Sequence, residues 1–253
     1  MIQINDRLMK RYAKGYWRQF QRALAVSRAA IVERSEILSP EELKQRVETL
    51  LNPEPVMSVM MDAWMKVGGK FGYDTHSKIR AKKSGVPPME YKADELEIWE
   101  GKMRKYASER SLSKLGAIMT TEQEAINGVI DNVIAQVAKD GLGIPETRSL
   151  MKRMLRDELL QIENWQAQRI AMTEVGSAAN TGSYEAANEV EGVKKQWMFI
   201  PGLKTFRASH QGFEAEGPKD MNYEYAPGLR HPGDVNGSAE HVINCYCSIG
   251  YIV

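Results

Sequence analysis

The sequence predicts an α+β protein in which a long, mostly helical N-terminal and central region precedes a small α+β domain with short strands and long loops. Three observations predict this fold class. Apolar residues recur at helical spacing through most of the chain, up to about residue 189. Residues 195–200 form a short aromatic run followed by Pro201-Gly202, which is typical of a strand. Residues 248–253 have the character of a second, closing strand.

Composition and charge exclude several classes of protein. The chain has 253 residues, of which 43% are hydrophobic, and its formal net charge of +1 gives no overall argument for nucleic-acid binding. No apolar run approaches the roughly 20 residues of a membrane-spanning helix, so we expect no membrane span. The first residues lack the apolar segment of a secretion signal. The only two cysteines stand in one Cys-x-Cys, which is not a disulfide framework and fits synthesis in a reducing cytosol.

Residues 3–34 predict a long amphipathic helix with one basic face. Spacings of 4, 3, 4 and 4 residues place five basic side chains in one stripe, which we call the basic stripe: Arg7, Arg11, Lys14, Arg18 and Arg22. The stripe could dock on an acidic partner surface or on a phosphate backbone. It could equally be a solvated face above an ordinary buried stripe.

The next elements are two shorter helices and a loop. Ser39 and Glu42 complete a capping box for a helix to about residue 51, and a second helix covers residues 56–71. Three glycines are expected to weaken the C-terminal end of that second helix: Gly68, Gly69 and Gly72. Residues 73–92 are basic and without periodicity, which predicts a mobile surface loop.

Between residues 94 and 189 we expect a series of helices joined by short turns. One is capped by Thr120 or Thr121 and ends at the glycines of residues 139–143. Two more follow, a short one to about residue 160 and another over residues 163–189. The predicted organisation is a basic docking region over 1–93, a helical connector over 94–162 and an α+β domain over 163–253.

The last predicted helix carries an unusual polar face. Its stripe consists of Arg169, Thr173, Gly176, Asn180 and Tyr184, with Glu174 about a third of a turn away. A polar stripe centred on a glycine lets another backbone approach closely and accept or donate hydrogen bonds. The stripe therefore either organises the loops of its own domain or forms an anion or nucleotide pocket.

The histidines and cysteines of the C-terminal region are possible zinc ligands. They are His210, His231, His241, Cys245 and Cys247. Among them His210, Cys245 and Cys247 are the candidates for a structural zinc ion, although Cys-x-Cys lacks the usual two-residue spacer. The other interpretation is buried thiols beside hydrogen-bonded histidines.

Other polar residues of this region suggest turns or acid-base chemistry. Gly233 and Asp234 belong to a Pro-Gly-Asp turn whose carboxylate could cap backbone amides or pair with Arg207 or Arg230. Asn244 is expected to turn the chain into the last strand. Arg207, His210 and Glu240 could be assembled into an acid-base set for catalysis. The chain has no nucleophile elbow, phosphate loop or dinucleotide glycine pattern.

Six motifs in one order resemble the phage Mu F-like, or head-morphogenesis, family of minor head proteins of tailed phages. They are Arg169-Ile-Ala-x-Thr173-Glu174, Asn180-Thr-Gly182, Lys195-Gln-Trp197, Arg207-x-Ser-His210, Pro232-Gly233-Asp234 and Asn244-Cys245-x-Cys247. The resemblance covers about residues 163–253. Two departures stand out: residues 203–206 replace an acid that the family often has before its histidine, and Tyr246 stands where the family often has arginine.

The resemblance implies a non-enzymatic structural protein of the virion. Such a protein is made in the host cytoplasm and sits in the head near the portal vertex, where it acts in head assembly and in DNA packaging or delivery. The implied partner is the portal protein, with the major capsid protein, a scaffold protein or genomic DNA nearby. The fold of the family has also been likened to ADP-ribosyltransferases, which keeps an NAD-dependent transferase or a nuclease as the enzymatic alternative.

Overall fold

A computed structural model describes residues 1–85, 87–88, 93–200 and 207–253 of the chain, apart from the side chains of 162 and 163. The described residues form these elements in chain order: β1 (Ile2–Gln3), α1 (Asp6–Arg34), α2 (Pro40–Leu50), α3 (Glu54–Ser84), α4 (Ala93–Asp140), α5 (Ile144–Asn188), β2 (Lys194–Met198), α6 (Ala208–Ala215), β3 (Lys219–Asp220), α7 (Ala239–Val242) and β4 (Ser248–Ile252). The predicted α+β class is confirmed, since long helices precede a small C-terminal sheet. In the part of the chain described, no helix combines the length and apolar composition needed to cross a membrane.

The sheet has four antiparallel strands in the order β1-β4-β2-β3. Both predicted strands are confirmed, as β2 and β4, and they pair with Trp197 opposite Ile249. The first strand was not predicted. It consists of two residues, and Ile2 lies opposite Tyr251 on β4. A pairing between such distant segments leaves no local signal in the sequence.

Helix α2 begins as the sequence predicts. The Ser39 hydroxyl accepts a hydrogen bond from the Glu42 amide, and the Glu42 carboxylate accepts one from the Ser39 amide. This reciprocal pair satisfies two of the amides that a helix leaves without partners at its start. The predicted glycine end of α4 is also found, since Gly141 has a φ of +62°.

The prediction that α3 ends near residue 71 is wrong, because the helix continues to Ser84. The glycines are points of close contact with other helices. A Cβ atom on Gly68 would lie 2.5 Å from Met103 Cε, and one on Gly182 would lie 2.0 Å from the Gly68 carbonyl oxygen. The predicted loop 73–92 is therefore helical over residues 73–84, while residues 86 and 89–92 lie outside the described residues.

Two predicted breaks in the later helices are also absent. Thr120 and Thr121 do not cap a helix, because α4 is continuous and their hydroxyls donate to the carbonyls of Gly116 and Ala117 one turn earlier. Helix α5 is likewise one helix across residue 160. Thr120 and Thr121 are exposed on the surface of α4 and mark no turn of the chain.

The chain divides into two compact units that differ from the consecutive regions 1–93, 94–162 and 163–253. Unit 1 contains Met1–Trp17, Met60–Arg110 and Arg169–Val253, and unit 2 contains Arg18–Val59 and Ser111–Gln168. The reason is that four long helices, α1, α3, α4 and α5, each contribute a segment to both units.

Unit 2 has its own apolar core and a buried ion pair. The core contains Ile31, Leu43, Val47, Ile126, Val129, Ile130, Val133, Leu150, Met151, Leu155 and Leu159. Arg28 donates to the Glu122 carboxylate at 2.5 Å and also to the Leu159 carbonyl and the Gln166 side chain. The Arg28 and Glu122 side chains are 3% and 0% exposed. Each therefore neutralises the buried charge of the other.

Candidate functional site

In unit 1 the polar stripe of α5 faces the loops and the last strand of the same unit. Thr173 Oγ1 accepts a hydrogen bond from the Asn244 amide at 3.1 Å. Asn180 donates to the carbonyls of Gly176 and Cys247, and its Oδ1 accepts from the Ile249 amide at 3.1 Å. The Tyr184 hydroxyl donates to the Met221 carbonyl at 2.7 Å. The stripe thus joins α5 to the loops of its unit and to β4.

Two positions allow the backbone to approach α5 closely. Asn244 has a φ of +55° and turns the chain toward β4, as predicted. Gly233 has a φ of +74°, and a Cβ atom there would lie 2.5 Å from Ser177 Oγ of α5. The Pro-Gly-Asp turn therefore packs directly against the helix.

Asp234 caps the turn that it belongs to. Its side chain is 1% exposed, and it accepts hydrogen bonds from the Arg230 amide, the Arg230 guanidinium and the Asn236 amide. Of the alternatives for this carboxylate, the structure therefore has amide capping and pairing with Arg230. Burial alone would raise the pKa of Asp234, but nearby His231 and the donated hydrogen bonds outweigh it and lower the pKa.

His231 is buried beside Asp234. Burial lowers its pKa to about 4, against the attraction of the Asp234 carboxylate, whose Oδ2 lies 3.7 Å from His231 Nε2. The ring also packs on Tyr184 with centroids 4.7 Å apart. His231 is therefore neutral at pH 7 and serves the packing of this turn.

Lys195 has a structural role that was not predicted from the sequence. This lysine is fully buried, and its Nζ donates to the carbonyls of Met221, Tyr223 and Arg230 at 2.6–2.7 Å. Burial lowers the pKa of Lys195 to about 7, while the three acceptors match the three N–H donors of an ammonium group. The available signal was alternation, since Lys195 and Trp197 point to the same buried face of β2.

His210, Cys245 and Cys247 come together as a buried cluster, which we call the His-Cys-Cys cluster. His210 Nδ1 lies 3.6 Å from Cys245 Sγ and 3.5 Å from Cys247 Sγ. Both thiols are free. The hydrogen bond between the Cys245 and Cys247 side chains lowers the pKa of Cys247 and raises that of Cys245. A thiolate and an imidazole held this close can bind a metal ion.

Aromatic rings and a second histidine surround the cluster. Trp197 meets the His210 ring edge-on at 5.0 Å, and Phe213 stacks on it at 5.5 Å. His210 Nε2 lies 3.2 Å from His241 Nδ1. The sequence predicts His241 either as a zinc ligand or as a hydrogen-bonded histidine, and no local signal pairs it with His210.

The predicted acid-base set is not assembled. Both ring nitrogens of His210 face protein groups, while Arg207 donates to the Ile243 carbonyl. The Glu240 side chain is 80% exposed and lies near Ser238 and His241. A general base needs a ring nitrogen directed at a substrate, and His210 has none to offer in this arrangement.

Glu174 lies apart from the polar stripe and faces α3 and α4. Its Oε2 accepts a hydrogen bond from Trp64 Nε1 at 2.8 Å and from Arg110 Nε at 3.3 Å. Glu174 and Arg110 are both almost completely buried. Neither partner was foreseen, because their sequence separations from Glu174 are long. Arg169, at the start of the stripe, is half-buried.

The five residues of the basic stripe are all exposed on α1. Arg7, Arg11 and Lys14 belong to unit 1, and Arg18 and Arg22 belong to unit 2. Within the ranges that the structure describes, none of the five forms an ion pair. The five side chains therefore face solvent, and their role in binding a partner stays a prediction.

Comparison of the chain with protein-family models, with curated proteins and with solved structures gives no match. The resemblance to the minor head proteins of tailed phages consequently rests on the six motifs of residues 163–253 and their order.

Proposed function

We propose that the protein is a structural component of a tailed-phage head, held near the portal vertex and acting in head assembly and in packaging or delivery of DNA. One observation supports a structural role most directly. The polar motif residues Thr173, Asn180 and Asp234 direct their hydrogen bonds to the protein's own backbone. An active site would instead present such groups to an open pocket.

The exposed charges of α1 supply a surface for a partner. Within unit 1 the basic stripe has three exposed cations, Arg7, Arg11 and Lys14, and a stripe of one sign attracts an acidic surface over a range of about 10 Å at 0.1 M salt. In the proposed setting the partner is the portal protein. The major capsid protein and a scaffold protein are its expected neighbours.

Co-sedimentation with a portal oligomer tests this function. We expect the full chain to sediment with the portal protein encoded in the same genome, and a triple charge reversal, Arg7→Glu with Arg11→Glu and Lys14→Glu, to abolish it. Point substitutions are needed because deletion of residues 1–93 would remove β1 and much of unit 1.

Charge reversal at other exposed positions provides the matched control. Arg104→Glu, Lys105→Glu and Arg153→Glu change the net charge equally but lie outside the basic stripe. Equal loss of binding in both triple variants would reject the stripe as the docking surface. A genome without a portal gene, or wild-type chain that stays in the supernatant, would reject the proposed function itself.

Genomic DNA is a second candidate ligand for the same stripe, because regularly spaced cations can follow a phosphate backbone. The affinity of such binding falls steeply as the salt concentration rises. On a plot of log affinity against log salt concentration, the slope decreases in magnitude by about one for each phosphate contact removed. Filter binding of duplex DNA at several salt concentrations distinguishes the two ligands. A salt-independent affinity would exclude the phosphate contacts.

A further inference from the structure

The distances within the His-Cys-Cys cluster match those of a metal site. In a tetrahedral zinc centre with Zn–S of about 2.3 Å and Zn–N of about 2.05 Å, a coordinated nitrogen and sulfur lie about 3.6 Å apart. His210 Nδ1 lies 3.6 Å from Cys245 Sγ and 3.5 Å from Cys247 Sγ. All three donor atoms lie within 4.8 Å of one another. From this geometry we propose that His210, Cys245 and Cys247 bind a soft divalent metal ion, with zinc the best fit.

The three donor atoms converge on one point. A single ring nitrogen offers one lone pair or one N–H group, and here two sulfur atoms are directed at the same Nδ1. The two thiols also share a hydrogen bond with each other. A metal ion at the centre of the three atoms satisfies all of them together.

His241 supports the same assignment from the other side of the His210 ring. A histidine that binds a metal through one nitrogen characteristically donates the N–H of the other to an acceptor. His210 Nε2 lies 3.2 Å from His241 Nδ1, which can accept that hydrogen bond. With His210 Nε2 as the donor in this contact, His210 Nδ1 carries its lone pair toward the sulfurs. His241 is thus a positioning residue and not a ligand.

The surrounding chain holds the ligands in place. Cys245 and Cys247 are separated by one residue just before β4, and in extended chain such residues face the same side. His210 comes from α6, and Trp197 and Phe213 pack on its ring. The ion would link α6 to the segment that precedes β4. Its ligands His210 and Cys245 are 35 residues apart in the sequence.

The fourth coordination position is left to a water molecule or another small donor. Among the residues that the structure describes, no further His, Cys, Asp or Glu joins the group of three. A three-ligand set of this kind, Cys2His with one exchangeable position, is an established arrangement for zinc.

Cobalt substitution of the full chain tests the proposal. The protein is purified with a chelator and a reductant, transferred to anaerobic buffer without chelator, and titrated with Co²⁺. We expect one equivalent to bind with visible bands of tetrahedral cobalt and thiolate charge-transfer absorption in the near ultraviolet. Zinc should displace the cobalt, and X-ray absorption of the zinc form should show two sulfur ligands and at least one nitrogen.

Single variants assign the ligands. Cys245→Ser, Cys247→Ser and His210→Ala should each remove or strongly weaken the charge-transfer absorption. His241→Ala should keep the bands but lower the affinity by about 10–100-fold. His76→Ala, a histidine outside the cluster, is the matched control and should leave both bands and affinity unchanged.

Circular dichroism shows whether each variant folds. Where a variant does not fold, the cobalt spectra of the wild-type protein still test the proposal. Wild-type protein that binds no cobalt, or shows only the weak spectrum of octahedral cobalt without sulfur ligands, overturns the proposal. A charge-transfer spectrum that persists in folded His210→Ala would show a thiol pair acting alone, and this also overturns it.

Discussion

Replacement of Asn180 by alanine should destabilise unit 1 more than any other single amide deletion on α5. The Asn180 side chain donates to the Cys247 carbonyl at 3.2 Å and accepts from the Ile249 amide at 3.1 Å. Ile249 is completely buried and Cys247 is 4% exposed, so water cannot easily take over these bonds. Each buried backbone group left without a partner costs about 1–3 kcal/mol, so the two groups together cost about 2–6 kcal/mol. Many domains have only 5–15 kcal/mol of stability in all.

Two measurements check this value. Urea unfolding should show the lower free energy of unfolding, and hydrogen exchange should show that the Ile249 amide loses protection. Asn180→Asp should be at least as destabilising, because it directs a carboxylate oxygen at the carbonyls of Gly176 and Cys247. The matched control is Asn188→Ala, an exposed position at the end of the same helix, where we expect a change within about 0.5 kcal/mol. A loss for Asn180→Ala no larger than that of the control would refute the reasoning.

Three further predictions concern packing, pH and buried charge. Gly182→Ala places a Cβ atom 2.0 Å from the Gly68 carbonyl oxygen and should destabilise unit 1 by at least about 1–3 kcal/mol in urea unfolding. Acidification from pH 6.5 to 4 should lower the free energy of unfolding by about 3 kcal/mol, because His231, with its pKa lowered to about 4, takes up its proton in the unfolded chain first. Arg28→Ala leaves the Glu122 carboxylate buried without its cation and should cost about 3–5 kcal/mol in unit 2, measured by thermal unfolding.

Each of these has a control on the same chain. Gly116→Ala, with no atom within 4 Å of its added Cβ, should stabilise α4 by about 0.5–1 kcal/mol. His231→Gln should remove most of the pH dependence between 6.5 and 4, and an unchanged slope would assign it to other groups. Lys44→Ala breaks an exposed pair with Asp131 and should cost at most about 1 kcal/mol.

Local sequence signals predicted the parts of the fold whose cause is local. The capping box at Ser39 and Glu42 needs only residues within one turn of helix, and the structure contains it. The end of α4 at Gly141 and the strands around Trp197 and Ile249 are of the same kind. In the candidate site, the polar stripe of α5 was visible from helical spacing alone.

The remaining features depend on distant partners. Gly68 resembles a helix breaker until Gly182, more than a hundred residues later, is known to pack against it. The role of the His241 ring depends on its contact with the distant residue His210. Such pairings are set by the tertiary fold, which overrides the local tendency of glycine to interrupt a helix.

The order of the strands in the sheet also constrains how the protein can be made. Strand β4 lies between β1 and β2 and is the last of the four to leave the ribosome. Ile2 therefore cannot pair with Tyr251 until all the residues between them have been made, and until then the inner edges of β1 and β2 have unpaired backbone groups. The segments of unit 2 end at Gln168, so that unit is complete earlier. A nascent chain stalled before residue 248 should thus have a folded unit 2, while the sheet of unit 1 still lacks its β4 strand.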